Sequence, residues 1–160
     1  MPPKRRDPFT NVRFRVEIDG MKGTGALEVF FPEAQIATDA ASGVDETGRP
    51  ASAHYGHLTL RRGLTTSGEW YKWWDEARQS KATRGRTVKI VLIDEQGADA
   101  NRWVFGGTRP FRYHVSSLNA RGEEILTETL ELAVGGFEAI YGRRSSEASR
   151  PSRTRKSSSE

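Results

Sequence analysis

The amino-acid sequence predicts a mainly β fold, in which two packed antiparallel sheets form a small barrel or sandwich with one flanking α-helix. Most segments alternate apolar and polar residues, which is the period-2 pattern of strands with one wet face. A single segment, residues 67–80, instead carries its apolar residues at helical spacing. The chain has 160 residues and no cysteine. One hydrophobic core without disulfides must therefore hold the fold together.

Two strand patterns begin the predicted domain. Apolar residues alternate with charged ones over 12–18, and a second strand pattern, 24–31, follows a glycine-containing turn. We therefore expect these two strands to form a β-hairpin. Residues 37–53 are small and polar and are interrupted by glycine and proline, which predicts a long loop. A further strand is predicted over 55–63.

The helix is predicted from its start signal and from its apolar spacing. Thr66 and Glu69 have the spacing of a capping box, in which two side chains satisfy free N–H groups at the helix N-terminus. Trp70, Trp73, Trp74 and Ala77 follow at helical spacing, so the helix is expected to cover 67–80. Because the segments on both sides have strand patterns, the helix should lie on the flank of the sheets.

The helix carries more aromatic residues than one buried stripe requires. We assign Trp70, Trp74 and Ala77 to the stripe that anchors the helix on the sheet. Tyr71 and Trp73 then lie on the other side, where they are either partly exposed rings or anchors that contact another subunit. Both interpretations stay open, and Tyr71 and Trp73 are the candidate subunit-interface residues.

Four more strand patterns follow the helix, over 86–94, 102–107, 111–118 and 123–134. Between the last two, residues 119–122 contain Asn and Gly, which are typical of a tight turn. The C-terminal part of the domain is therefore predicted to be a succession of antiparallel strands.

The formal net charge of +4 comes from the two ends of the chain. Residues 1–8 and 142–160 are rich in Lys and Arg, whereas residues 9–141 contain slightly more Asp and Glu than Lys and Arg. Both ends have few apolar residues, which predicts a flexible basic N-terminus and a disordered Ser/Arg-rich tail around one domain. An alternative function is a nucleic-acid-binding β-barrel module that acts through these basic ends.

The sequence contains no pattern typical of an active site, a cofactor site or a metal site. Its three histidines, His54, His57 and His114, lack the spacing of metal ligands, and no Gly-x-Ser-x-Gly nucleophile motif occurs. Acidic neighbours such as Asp75 and Glu76 point in different directions, which does not suit a paired acid and base. We therefore predict a protein that is not an enzyme and needs no cofactor.

The sequence also bears on location. No segment approaches the ~20 apolar residues of a membrane span, and the basic start of the chain lacks the apolar run of a signal peptide. These features predict no membrane anchor of the protein's own. The absence of cysteine fits a reducing compartment, so assembly in the cytoplasm is expected.

Two motifs give the chain a specific resemblance to a known family. One is the strand "YGHLTLRRG", which leads into the tryptophan-rich helix, and the other is the turn and strand "LNARGEEILTETLEL". Over residues 7–138 the sequence resembles the tail tube proteins of contractile-tailed phages and of phage-like extracellular contractile injection systems. The resemblance implies a self-assembling structural subunit without catalytic activity, which forms hexameric rings that stack into a hollow inner tube.

The same resemblance implies the partners of the tube. They would be identical subunits, a sheath protein, a baseplate hub with its spike and a tube terminator, with cargo or DNA in the lumen. The loop 37–53 would reach neighbouring rings. Its candidate inter-ring residues are Thr38, Asp39, Asp45, Glu46 and Arg49.

The last predicted strand has two chemically different faces. Leucines alternate with small or charged polar residues, so the polar face is expected to meet water. In a tube subunit this face is a candidate for the lumen. Its residues are Thr127, Thr129 and Glu131.

Overall fold

The computed structural model describes residues 9, 13–22, 25–26, 28–36, 53–79 and 84–142. These residues form a mainly β fold of two antiparallel sheets with one helix, as predicted, and the described strands leave the sandwich open rather than closing it into a barrel. In chain order the elements are β1 (Phe14–Ile18), β2 (Glu28–Phe30), β3 (Ala34–Ile36), β4 (Ala53–Tyr55), β5 (His57–Gly63), α1 (Glu69–Arg78), β6 (Arg86–Ile93), β7 (Asp99–Val115), β8 (Thr127–Ala133) and β9 (Gly136–Ile140).

Strand β7 is 17 residues long and belongs to both sheets. Its first part, up to Thr108, pairs with β6 and β9, and its second part, from Arg109, pairs with β8. We call β1, β6, the first part of β7 and β9 sheet A. Sheet B consists of the second part of β7 with β8, β5 and β2. Strands β3 and β4 form a separate two-stranded ribbon.

The change of partner along β7 coincides with an irregular, glycine-rich stretch. Gly107 has a φ of 60°, where a side chain is disfavoured, and a Cβ atom on Gly85 would lie only 2.6 Å from the Gly107 Cα. The pairing with β8 shifts register between Pro110 and Arg112. The sequence predicted two separate strands here, 102–107 and 111–118, whereas the structure has one continuous strand through Pro110. An irregularity of this kind tolerates a residue without an N–H group.

Both sheets and the helix contribute to one hydrophobic core. Burial alternates along β5, and along β8 except at the buried Thr129, which confirms the period-2 pattern in these strands. The buried apolar residues are Val16, Ile18, Val88, Ile90 and Phe105 from sheet A, Leu58, Leu60, Leu130 and Leu132 from sheet B, and Trp70 and Trp73 from α1.

The first two strands do not pair with each other in the described part of the chain. Strand β1 pairs with β6, and β2 pairs with β5, so these strands lie at opposite ends of the sheet order. The predicted hairpin of β1 and β2 is therefore wrong. Strand and turn patterns are local, whereas the choice of partner depends on which long-range contacts bury the core.

The helix begins later than predicted. Its first residue is Glu69, its N-cap is Gly68, and no side chain caps it. Thr66 lies too far upstream to bond the first helical turn, so the predicted capping box is wrong. The segment before the helix forms a different local bond, from the Ser67 N–H to the Thr65 hydroxyl at 3.2 Å.

The buried face of α1 is centred on Trp70 and Trp73. The ring of Trp73 is only 3% exposed, so the prediction that Trp73 contacts another subunit is wrong. Trp74 and Ala77, predicted as core anchors, are only partly buried. The residues three and four positions after Trp70 both lie on the same helix face as Trp70. In the structure the residue three positions on, Trp73, is the buried one.

These burial differences lead to a stability prediction. Trp73→Ala should lower the free energy of unfolding of the subunit by about 3–5 kcal/mol, as expected when a large buried ring is removed. Tyr71→Ala is the matched control, because the Tyr71 side chain is 50% exposed and its loss should cost much less. Chemical denaturation of both variants, followed by tryptophan fluorescence or circular dichroism, measures the difference. A Trp73→Ala subunit as stable as the Tyr71→Ala subunit would contradict the core role.

Candidate subunit assembly surfaces

A buried ion pair connects the two central strands of sheet B. The Arg62 Nε donates to the Glu128 Oε1 at 2.5 Å, and both side chains are almost fully buried. The Tyr113 hydroxyl donates to the other carboxylate oxygen, Glu128 Oε2, at 2.7 Å. The Arg62 guanidinium also lies over the Trp70 ring, 4.2 Å from its centroid. This network therefore joins β5, β7, β8 and α1.

The sequence analysis missed this network, although the sequence contains a signal for it. Arg62 follows Leu60 by two residues and Glu128 precedes Leu130 by two, so strand alternation places both charges on the core face. The two residues are direct cross-strand partners. Opposite charges at core positions of two strands indicate a buried pair, since a lone buried charge is very costly.

The network also affects Tyr113. Partial burial and, after it, the hydrogen bond to the Glu128 carboxylate together raise the pKa of Tyr113 to about 12. Both effects favour the neutral phenol, which can donate a hydrogen bond. Its contribution to stability is therefore present below the usual tyrosine pKa and is lost as the pH rises toward 12.

A group of aromatic rings lies above this network, between α1 and β7. Tyr113 contacts Tyr71 at 5.7 Å and Trp74 at 6.5 Å between ring centroids, and Tyr71 contacts Trp74 at 6.0 Å. Arg78 lies 5.9 Å from the Trp74 ring centroid. Tyr71 is the exposed member of the group, so it stays a candidate interface residue.

The face of sheet B opposite the core carries polar and charged residues. Thr127, Thr129 and Glu131 all lie on it, as predicted from their spacing. Thr129 is only 8% exposed, however, so its predicted contact with water is wrong. Its cross-strand neighbours are Arg61 and His114, and these long side chains flank the small threonine.

The charges on this face are paired across strands. Arg61 forms an ion pair with Glu28, and the Arg112 Nε lies 2.9 Å from the Glu131 Oε2. Both described carboxylates of the face thus have a cationic partner within the same subunit. The result is a mixed-charge, water-compatible surface that requires no second chain to neutralise it.

Other parts of the surface are apolar. Large apolar side chains remain exposed at the ends of strands and in connecting segments, where patches of this kind commonly mark interaction sites. They include Phe30, Phe31, Ile36, Phe111, Val115, Leu118, Ile125 and Tyr141.

Several predicted site residues lie outside the described part of the chain. These are the candidate inter-ring residues Thr38, Asp39, Asp45, Glu46 and Arg49. Among the described residues, no group of His, Asp and Glu is arranged to hold a metal ion. In the same part of the chain, no helix is long and apolar enough to span a bilayer.

Comparison with protein families shows to which family the chain belongs. The sequence matches the family of the T4-like virus tail tube protein gp19 over residues 10–138. The chain belongs to this tail tube family. The tail tube protein is therefore a structural component of a phage tail or phage tail-like particle, and the family indicates a non-enzymatic role. The resemblance inferred from the two sequence motifs is confirmed.

Solved structures share the fold of the tail tube protein. A chain in the cryo-EM structure of the PVC sheath/tube terminator, from an extracellular contractile injection system, has a TM-score of 0.70 at 18% identity, with 84% of this chain and 97% of that chain covered. A chain in the anti-feeding prophage baseplate has a TM-score of 0.67 at 17% identity, with 86% and 98% covered. Hcp1 from Flavobacterium johnsoniae has a TM-score of 0.57 at 20% identity, with 81% and 95% covered. A comparison with curated protein sequences finds no match.

The buried ion pair leads to a second stability prediction. Glu128→Gln should lower the free energy of unfolding of the tail tube protein by about 3–5 kcal/mol, because it leaves Arg62 charged, buried and without its carboxylate. Glu131→Gln is the matched control. Its partner Arg112 is exposed, so this change should cost less than about 1 kcal/mol. Denaturant titrations of the two variants measure both values, and equal losses would contradict the importance of burial.

Proposed function

We propose that the tail tube protein forms closed hexameric rings, which stack into the hollow inner tube of a contractile tail or injection system. The family match over residues 10–138 carries this proposal. Structures with the same fold come from a PVC sheath-tube complex, from a sheath/tube terminator and from a baseplate that was 6-fold symmetrised. The tube would accordingly contact a sheath protein, a baseplate hub and spike, and a terminator, after assembly in the cytoplasm.

The pairing of sheet B supports ring closure. In the described part of the chain this sheet ends in β2 on one side and in the second part of β7 on the other. Strand edges of this kind can pair with the edge of another chain. If β2 of one copy pairs with β7 of the next, each copy uses two different patches. Such a head-to-tail contact closes into a ring when its rotation divides a full turn.

The polar face of sheet B is the proposed lumen wall. A continuous ring of these sheets would place Thr127, Glu131 and their charged neighbours around a central channel. Because Glu28 and Glu131 are paired with arginines, the wall would offer few unpaired charges. A surface of this kind suits a conduit, since strong attraction of either sign would hold back cargo or DNA.

Electron microscopy of the purified protein tests the ring. We expect rings or stacked tubes from the full chain, and also from a variant lacking residues 1–7 and 143–160, because the contacts proposed above lie in the sheets. If the protein instead acted as a nucleic-acid-binding module through its basic ends, the deletion should abolish binding to nucleic acid at modest salt. A full chain that stays monomeric at high concentration would contradict the tube function.

The lumen assignment has its own test. Thr127→Trp should narrow the channel in averaged microscope images while the subunit melts at the same temperature. The reason is that the cross-strand partner of Thr127 is Gly63, which leaves room for a larger ring on this face. Lys72→Trp on the exposed side of α1 is the control and should leave the channel unchanged. A Thr127→Trp subunit that fails to fold would show that the face is not open.

A further inference from the structure

The polar face of sheet B carries more arginines than carboxylates. Direct cross-strand partners share one face of a sheet, so the register shows which side chains lie beside Thr127, Thr129 and Glu131. The described residues of this face that are charged or titratable are Glu28 on β2, His57 and Arg61 on β5, Glu131 on β8, and Arg109, Arg112 and His114 on β7. Three arginines against two glutamates leave one surplus positive charge in each subunit, and protonation of a histidine can only add to it.

Arg109 is the surplus cation. Arg61 is paired with Glu28, and Arg112 is paired with Glu131. The other ion pairs among the described residues do not involve Arg109 either. Its direct cross-strand partner is the small Ala133, so no acidic side chain of the described strands lies opposite it.

The backbone fixes the direction in which Arg109 points. Its two neighbours along β7, Thr108 and Pro110, are both buried, and the Thr108 hydroxyl donates to the Arg86 carbonyl at 2.6 Å. Because side chains alternate along a strand, two buried neighbours leave Arg109 on the opposite, polar face. The Arg109 residue is exposed there.

Charges also border the face at its two ends. Near the start of β5, Glu33 lies beside Gly56, and its carboxylate accepts a hydrogen bond from the Gln35 side-chain amide at 3.0 Å. At the far end, the exposed segment between β7 and β8 contains Arg121, Glu123 and Glu124.

The far border has little effect on the surroundings of Arg109. The strand from Thr127 to Ala133 extends over about 20 Å at ~3.3 Å per residue. This length exceeds two Debye lengths at physiological salt, so water and ions screen the charges of the far border. The positive surplus therefore belongs to the end of the face that holds Arg109 and Ala133.

A weak surplus of this kind fits a partner with sparse negative charge. Duplex DNA carries a negative charge about every 1.7 Å along its axis, and proteins that bind nucleic acid usually gather many unpaired cations on one face. Here Arg61 and Arg112 are paired within the subunit, and one arginine is not. An acidic polypeptide therefore matches this face better than nucleic acid does.

We infer that Arg109 gives the channel wall a positive belt, which favours acidic polypeptide cargo over basic cargo. This inference rests on the proposed tube and lumen, and it adds the sign of charge that the channel selects. In a ring, every subunit contributes one Arg109 at the same height, so a passing polypeptide meets several guanidinium groups at once. Each exposed contact is weak, so the belt biases entry without stopping passage.

A cysteine on the wall can measure this charge, because the natural chain contains no cysteine. Ala133 is exposed and is the direct partner of both Arg109 and His57. Assembled Ala133→Cys subunits are treated with a negatively or a positively charged methanethiosulfonate reagent of similar size. Relative to free cysteine, the negative reagent should react faster than the positive one, and Arg109→Gln should reduce this rate ratio by about two- to fivefold, the value of an exposed charge contact.

Lys89→Gln is the matched control for the loss of one positive charge. Lys89 is exposed, and its neighbours Val88 and Ile90 are buried, so it lies on the outer face of sheet A. Its replacement should leave the rate ratio at residue 133 unchanged. High salt should bring the ratios of all variants together, because ions screen the belt.

A protection experiment tests the cargo class. An oligo-aspartate peptide should slow the reaction of Ala133→Cys tubes with an uncharged maleimide, whereas an oligo-lysine peptide should not. Arg109→Gln should remove the protection. Protection by a single-stranded oligonucleotide but not by oligo-aspartate would show that the cargo class is wrong.

The outcomes separate this inference from the proposed function. If tubes form but the rate ratio equals that of free cysteine or does not respond to Arg109→Gln, the belt is refuted and the tube stands. The same ratio measured on unassembled subunits keeps the charge test valid where Ala133→Cys hinders assembly. A cysteine that reacts in subunits but with no reagent in tubes would place this face in a subunit contact and refute the inference. If the unmodified chain never assembles, the proposed function itself fails.

Discussion

The shared strand β7 is the constraint on which the rest of the structure depends. Its first part pairs with β6 and β9 and its second part with β8, so the two sheets are joined by a continuous backbone. The change of partner along β7 coincides with Gly107, which has a left-handed φ, and with the close approach of Gly85 to it. Because one strand belongs to both sheets, the residues near the start of β7 and the segment that follows it are held in a defined relation.

The ion pair of Arg62 and Glu128 has a related role in sheet B. The free energy lost by removing two charges from water offsets much of their mutual attraction, so well-packed apolar residues in their place could give an equally stable fold. What the pair supplies instead is register, because the two residues are direct partners on β5 and β8. A slip of either strand would leave a charge in the core. Through Tyr113 and Trp70 the same pair also fixes where α1 lies on the sheet.

Local periodicity was enough to predict the fold class, most strands and the existence of one helix, because these features depend on which residues alternate. It selected Trp74 instead of Trp73 for the core, since residues three and four positions from Trp70 share one face and periodicity cannot separate them. It predicted two strands, 102–107 and 111–118, where only the pairing with neighbouring strands shows that one strand continues. It also missed the Arg62–Glu128 pair: alternation places each charge on the core face of its strand, but only the alignment of β5 and β8 makes them partners.

The subunit surface divides into parts that are complete in one chain and parts that are not. On the polar face of sheet B, each described carboxylate has its cation within the same subunit, so water can cover that face at no great cost. Other parts of the surface instead expose large apolar side chains, among them Leu118, Ile125 and Tyr141. The proposed tube subunit, with one face toward cargo and other surfaces against copies of itself, would need this division. The distribution of paired charge and exposed apolar surface therefore fits the proposed assembly.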